Sequence, residues 1–198
     1  MRVYFKNLDG IRFIAAFLVI LQHTAEYKVD TGKNLPNHFL PYFKDFGSYG
    51  VTLFFVLSGF LIFYLLFAEH EMKKTIDVKS FYIRRVLRIW PLYLGFGIVL
   101  IFGIDYILKL MGTPVNTPEF TNLFFLLIFS INFQLLFGQL NRGIIELYWS
   151  VCIEEQFYLF APLLVKKWFP KMMYVIIAFI VIGIGSKFFM RWLDLVKH

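Results

Sequence analysis

The sequence predicts an all-α membrane protein, a polytopic bundle of about six transmembrane helices. Of its 198 residues, 59% are hydrophobic and 21% aromatic, and the mean hydropathy is +0.68, whereas about half the residues of a soluble domain are apolar. Apolar stretches long enough to cross the roughly 30 Å hydrocarbon core also recur along the whole chain. The predicted spans are residues 11–29, 48–68, 91–111, 121–138, 144–165 and 172–190.

The charge pattern agrees with this class. The formal net charge is +7, but the basic residues stand at the ends of apolar segments, where the positive-inside rule places them, and not on one face of a soluble domain. Nucleic acid is therefore not an expected partner. Cys152 is the single cysteine, so it forms no intrachain disulfide, and no metal-ligand spacing surrounds it. Membrane lipids are the expected surroundings of one membrane-embedded domain over residues 1–198.

The orientation follows from lysine and arginine. The connection over residues 69–90 is the most basic, so we expect it and the N-terminus to be cytoplasmic in a multi-pass protein of the cell (inner) membrane. Strict alternation of six spans then places the lysines after the fifth span outside, against the rule. The span 121–138 contains Asn122, Asn132 and Gln134, and we expect it to be tilted, re-entrant or shielded by neighbours.

The first segment carries two ionisable groups. A signal peptide is disfavoured because the apolar run is long and no small-residue cleavage site follows it. Arg12 and His23 stand eleven residues apart, about three helical turns, so both side chains leave one helix face about 16 Å apart along the axis. Such groups are costly inside a membrane and usually serve a function. His23 is therefore the expected general base or nucleophile, because imidazole accepts a proton near neutral pH.

The second and third segments carry weaker patterns. In FFVLSGFLI, Ser58 and the glycine after it most often just permit close helix packing. In RRVLRIWPLY, Pro91 is expected in the first turn of a membrane helix, with the arginines on a short helix before it. An arginine set grips phosphate bidentately, but positive residues at a cytoplasmic boundary need no ligand, so both readings stay open. The arginines are Arg84, Arg85 and Arg88.

The fifth segment places three polar groups on one helix face. Ser150, Glu154 and Tyr158 follow one another at intervals of four residues in YWSVCIEEQFYLFAP. A carboxylate inside a membrane helix is normally paired with a cation or a histidine. Glu155 points about 100° away from this face and can simply lie near an interface.

Four blocks occur in order within residues 8–162, namely LDGIRFIAAFLVILQH, FFVLSGFLI, RRVLRIWPLY and WSVCIEEQFYLFAP. Together they resemble the acyltransferase-3 family of integral membrane acyltransferases, which modify sugars of bacterial envelopes and other acceptors. Because family members have about ten membrane helices, the chain resembles their N-terminal part. We expect the C-terminal helices to be missing or supplied by a second chain.

The resemblance implies site residues. Its arginine and histidine pair corresponds to Arg12 and His23, and we expect Glu154 to complete the catalytic set by orienting or charge-balancing the histidine. The arginine motif is associated with a cytoplasmic acyl-CoA donor, acetyl-CoA first of all, and no metal is implied. The donor residues are Arg84, Arg85 and Arg88, and the supporting residues are Ser58, Trp149, Ser150 and Tyr158.

Two functions remain open at this point. The first is an O-acyltransferase that moves an acyl group, with acetyl the first expectation, from acyl-CoA to a hydroxyl of a cell-envelope or exported saccharide, or of a lipid-linked glycan. The second is a truncated, non-catalytic membrane protein with a transport, scaffold or regulatory role. Acyl-CoA binding that depends on the arginines would separate the two.

Overall fold

A computed structural model of the chain describes residues 5, 7–30, 45–112, 119–137 and 147–196. Within these ranges the chain is helical apart from short turns and has no β-strand. A π-helical stretch, Val99–Ile104, joins α3 to α4, and a short 3-10 helix, Phe169–Lys171, joins α7 to α8. The α-helices are α1 (Leu8–Asp30), α2 (Phe46–Lys73), α3 (Val78–Ile98), α4 (Asp105–Leu110), α5 (Glu119–Leu127), α6 (Ile131–Leu136), α7 (Trp149–Trp168) and α8 (Met172–Val196).

Four helical runs in the described part of the chain are long and apolar enough to cross a membrane. Their outer surfaces carry large apolar side chains such as Phe13, Leu92 and Phe179, which suits helices surrounded by lipid rather than water. The all-α, polytopic fold class is therefore confirmed. The runs are Leu8–Glu26, Phe46–Lys73, Val78–Gly103 and Trp149–Ser186.

The first two predicted spans agree with α1 and α2, but the third begins earlier than predicted. The structure has one continuous helix from Val78 to Ile98 with Pro91 inside it, so the predicted break at Trp90 is wrong. Proline removes only one backbone donor, and Trp90 is held on α3 by its indole Nε1, which donates to Oε2 of Glu155 at 3.1 Å. Tertiary contacts thus outweigh the local preference of the residue before proline.

The predicted span 121–138 is not a single helix. Two short helices, α5 and α6, replace it, and Phe129 between them has a φ of 51°, which ends the helical path. The fold-back brings Nε2 of Gln134 to within 2.7 Å of Oδ1 of Asn122. Both amides are buried, and this bond satisfies one polar atom of each, whereas Oε1 of Gln134 has no hydrogen-bond partner among the described residues.

The last two predicted spans, 144–165 and 172–190, form one helical run interrupted only by the 3-10 helix. Residues 138–146, where the fifth prediction begins, lie outside the described residues. Six predicted spans thus become four candidate spans among the described residues.

Glycines set the contact between α1 and α2. A Cβ atom at Gly50 would lie 2.6 Å from the carbonyl oxygen of Ala15, so only glycine permits this approach. The amide of Gly47 donates to Oε1 of Gln22 at 2.6 Å. This close seam fixes the helix that carries Arg12 and His23 against α2.

The core behind the site is formed by α2, α3 and α7. Ile62, Phe81, Tyr158 and Val165 are buried together in it. The hydroxyl of Tyr82 on α3 donates to the carbonyl oxygen of Leu159 on α7 at 2.6 Å. Apolar burial and this bond hold α3 and α7 in register, which places the polar face of α7 opposite α2.

Candidate functional site

The larger cavity of the described structure has a volume of about 550 Å³ and lies between α1, α2, α3 and α7. Its wall is mostly apolar, and its polar and charged side chains come from four different helices. Concave, mainly apolar cavities with a few convergent polar groups are the usual form of a small-molecule site. The polar and charged lining residues are Arg12, Ser58, Arg85, Arg88, Tyr93, Tyr148, Glu154 and Tyr158.

Ser58, Glu154 and Tyr158 form a hydrogen-bonded cluster in this cavity. The Ser58 hydroxyl donates to Oε1 of Glu154, and the Tyr158 hydroxyl donates to the same oxygen. The two hydroxyl oxygens also contact each other. Glu154 and Tyr158 are one helical turn apart on α7, as their spacing predicts, whereas Ser58 comes from α2. A carboxylate that accepts two hydroxyl donors is held in a fixed position.

Arg85 lies beside this cluster. Its guanidinium carbon is 5.3 Å from the ring centroid of Tyr158 and 5.4 Å from that of Phe81, distances at which a cation is attracted to an aromatic face. The buried Nε atom of Arg85 has no hydrogen-bond partner among the described residues. An arginine at a cavity wall is suited to hold an anionic or carbonyl ligand.

The structure separates the predicted arginines. Arg85 and Arg88 line the larger cavity, but Arg84 does not. Arg12 reaches the same cavity from α1, and its guanidinium Nη1 donates to Oδ1 of Asp9 at 3.1 Å. Three arginine residues, from α1 and α3, therefore line one cavity that Glu154 also lines.

A smaller cavity of about 470 Å³ lies further along α1. His23 lines it, and Nδ1 of His23 is 3.1 Å from Oε2 of Glu26. An ionised carboxylate only accepts hydrogen bonds, so the contact favours a proton on Nδ1. The whole lining consists of Val19, Ile20, His23, Thr24, Val51, Leu147, Trp149 and Ser150.

The predicted site residues thus fall into two groups. Arg12 and Glu154 share the larger cavity, while His23, Trp149 and Ser150 share the smaller one. Glu154 does not bond to His23 in the structure, because its Oε1 atom accepts from Ser58 and Tyr158. The two cavities have one lining residue in common, Leu147.

Sequence reasoning missed the hydrogen-bond partners of Arg12 and His23 and the lining residue that both cavities share. Asp9 and Glu26 bond to Arg12 and His23 at a spacing of three residues, so the i, i+3 rule for helix neighbours would have found both. Leu147 is an ordinary aliphatic residue, and no sequence pattern marks it. In the described part of the chain, no group of three or more His, Cys, Asp or Glu side chains is arranged to hold a metal ion.

Comparison with known sequences agrees with the four motif blocks. A sequence model of the acyltransferase-3 family, described as an acyltransferase domain, matches residues 5–195. The chain therefore belongs to this family and, with its long apolar helices, is a multi-pass membrane protein.

Two relatives carry names that specify an activity. The chain is 31% identical over 194 residues to the peptidoglycan O-acetyltransferase OatA of Listeria monocytogenes, and the match covers 93% of this chain. It is 29% identical over 167 residues, 82% of this chain, to the O-acetyltransferase OatA of Staphylococcus aureus strain NCTC 8325. The matched regions are 28% and 25% of the lengths of these relatives. No solved structure matches the chain.

Proposed function

We propose that this chain is the membrane domain of an O-acyltransferase that transfers an acyl group, acetyl first of all, from cytoplasmic acyl-CoA to a hydroxyl of a cell-envelope or exported saccharide. The observation that carries the proposal is the meeting of Arg12, Arg85 and Arg88 with Glu154 in one cavity, beside a second cavity lined by His23. The names of the relatives support the acetyl group and the saccharide.

The donor occupies the larger cavity in this proposal. Phosphate groups of acyl-CoA pair with Arg85 and Arg88, because guanidinium binds phosphate with two parallel hydrogen bonds. Arg84 lies on the same helix outside the cavity and adds positive charge at the cytoplasmic end, with the N-terminus on the same side. The apolar walls accept the flexible arm that carries the thioester.

Arg12, His23 and Glu154 are the proposed catalytic residues. Nε2 of His23 takes the proton of the acceptor hydroxyl while its oxygen attacks the thioester carbonyl carbon. The new C–O bond forms, the C–S bond breaks, and the CoA thiolate leaves and receives the proton from His23. Arg12 holds the donor end and polarises the carbonyl, and Glu154 balances the guanidinium charge. Glu26 keeps His23 in the required tautomer and stabilises its protonated form.

A binding measurement tests the proposal. The purified chain in detergent should bind acetyl-CoA, and Arg85→Gln should weaken that binding while Lys79→Gln, an exposed change on the same helix, leaves it unaltered. Equal effects of the two changes would mean a diffuse charged boundary and no donor site. Absence of acetyl-CoA binding by the unmodified chain would favour the non-catalytic alternative.

A further inference from the structure

The smaller cavity has the chemistry of a saccharide site. One aromatic side chain, Trp149, lines it beside the hydroxyl groups of Thr24 and Ser150 and the imidazole of His23. A sugar ring presents C–H groups on one face, which pack on an indole ring, and hydroxyl groups at its edge, which bond to polar side chains.

The aromatic residue is held in place by a neighbour. The Trp149 ring packs edge to face on Phe55 of α2, with the ring centroids 6.2 Å apart. Fixing an aromatic side chain before the ligand arrives lowers the entropy lost on binding. Trp149 is also the first residue of α7, the helix that carries Glu154 into the larger cavity, so one element contributes to both cavities.

The segment that begins α7 separates the cavities. Tyr148 lines the larger cavity, Trp149 lines the smaller one, and Leu147 lines both. Attack on a thioester needs the reacting atoms to approach to about 3 to 3.5 Å. The side chain of Leu147, the lining residue that both cavities share, therefore lies where they adjoin and is 42% exposed.

We propose that the smaller cavity is the acceptor subsite, in which a saccharide ring stacks on Trp149 with a hydroxyl at His23, and that Leu147 controls the passage from the donor cavity. This inference rests on the proposed acyltransferase function. It adds where the acceptor binds, and it assigns recognition of the sugar ring to Trp149 and control of passage between the two cavities to Leu147. Leu147 is a positioning residue, and its size decides whether the acyl group reaches the hydroxyl.

Saccharide binding tests the subsite without any catalysis. Saturation-transfer NMR with a soluble N-acetylglucosamine tetramer and the purified chain in detergent should detect binding. Trp149→Ala should weaken that binding about tenfold, the loss of one aromatic stack, and Trp149→Phe should restore most of it. Trp168→Ala is the matched control, because Trp168 is exposed and lines neither cavity. Equal binding by the Trp149→Ala and Trp168→Ala variants would overturn the subsite.

Variants that change the size of the side chain at position 147 test whether Leu147 controls passage between the two cavities. Leu147→Trp should lower transfer to the tetramer about 100-fold, as a misplaced reactant does, and should weaken acetyl-CoA binding much less than that, because Leu147 is one of many residues that line the donor cavity. Leu147→Ala should increase acetyl-CoA hydrolysis relative to transfer, because water then reaches the thioester. Leu163→Trp, at an exposed position of the same helix, should do neither. Equal losses of donor binding and transfer in Leu147→Trp would overturn the passage.

The two proposals fail in different ways. Tetramer binding that depends on Trp149, in a chain that neither binds acetyl-CoA nor transfers an acyl group, would overturn the acyltransferase function and leave the saccharide subsite standing. Acyl transfer that is unaffected by changes at Trp149 and Leu147 would overturn the saccharide subsite and leave the acyltransferase function standing.

Discussion

Nδ1 of His23 lies 3.1 Å from Oε2 of Glu26, less than one helical turn further along α1. The pair resembles the imidazole and carboxylate of a catalytic dyad, in which the carboxylate fixes the tautomer and the free nitrogen acts as the base. Neither residue needs another helix to form this arrangement. The proposed base is therefore organised by α1 alone, and in the proposed reaction the acceptor hydroxyl has to come to it.

The first prediction concerns this dyad. His23→Ala should lower acyl transfer about 100-fold to 10,000-fold, the usual contribution of a general base, while acetyl-CoA binding stays unchanged. Glu26→Gln should lower kcat less and shift its pH profile, because the amide no longer stabilises an imidazolium. Kinetics of transfer across pH provide the measurement. A His23→Ala variant within a few-fold of the unmodified rate would remove this residue from the mechanism.

The second prediction separates Arg88 from its basic neighbours. Arg88→Gln should weaken acetyl-CoA binding by about 1.5 to 3 kcal/mol, the range for a charge-assisted hydrogen bond. Lys74→Gln should have almost no effect, since Lys74 is exposed and lies outside both cavities. Isothermal titration at two salt concentrations measures both. Comparable, salt-sensitive losses at the two positions would contradict a specific site.

The third prediction concerns the charge of Glu154. Glu154→Gln keeps an oxygen that accepts from Ser58 and Tyr158 but removes the negative charge that balances the arginines. Acyl transfer should fall by at least about tenfold, while binding of the anionic donor is kept or strengthened. Glu71→Gln, an exposed carboxylate, is the control. Full transfer activity in Glu154→Gln would show that the charge is dispensable.

The sequence predicted the helix faces of the site but not its cross-helix contacts. The spacing of Glu154 and Tyr158 placed both on one face of α7 because a helix repeats every 3.6 residues. No spacing rule relates Ser58 to Glu154, which are 96 residues apart in the chain. That contact follows from how α2 packs on α7, and packing depends on the shapes of all the side chains between them.

The ends of the helices also depend on contacts between helices that local sequence rules do not predict. Local rules predicted a break before Pro91, but α3 continues through it because Trp90 and Tyr82 bond to α7. The polar residues of 121–138 correctly indicated that this span is unusual. The segment forms two short helices, and a hydrogen bond between Asn122 and Gln134 joins them. The sequence could not show this arrangement because it does not reveal which amide bonds to which.

The fourth prediction tests the seam between α1 and α2. Gly50→Val should destabilise the protein by about 1 to 3 kcal/mol, the usual cost of overpacking, because its Cβ would lie 2.6 Å from the Ala15 carbonyl oxygen. Gly59→Val is the matched control on the same helix, since a Cβ there meets nothing within 4 Å. Thermal unfolding in detergent measures both. Equal melting temperatures for the two variants would contradict the close seam.

The fifth prediction concerns Asp77, the residue that precedes α3 and the candidate span that begins at Val78. Ser80 donates to Asp77 through its hydroxyl and its amide, and these bonds lower the pKa of the Asp77 carboxyl below its usual 3.8. A lowered pKa means that the stabilisation is present above the unfolded-state value and is lost as the pH falls below it. Asp77→Ala should therefore lower the melting temperature at pH 7 but not at pH 2. An equal decrease at both pH values would show that the charge does not contribute.

Arg12 and His23 project from one uninterrupted helix. The axial distance between these two side chains, one at each cavity, is therefore set by the number of residues between them. Each residue added between them would lengthen the interval by about 1.5 Å and rotate one side chain by about 100° relative to the other. A single insertion would therefore turn one of the two groups toward lipid, although no site residue had been changed. The number of residues between Arg12 and His23 therefore sets both the distance between the two side chains and the angle between them around the helix axis.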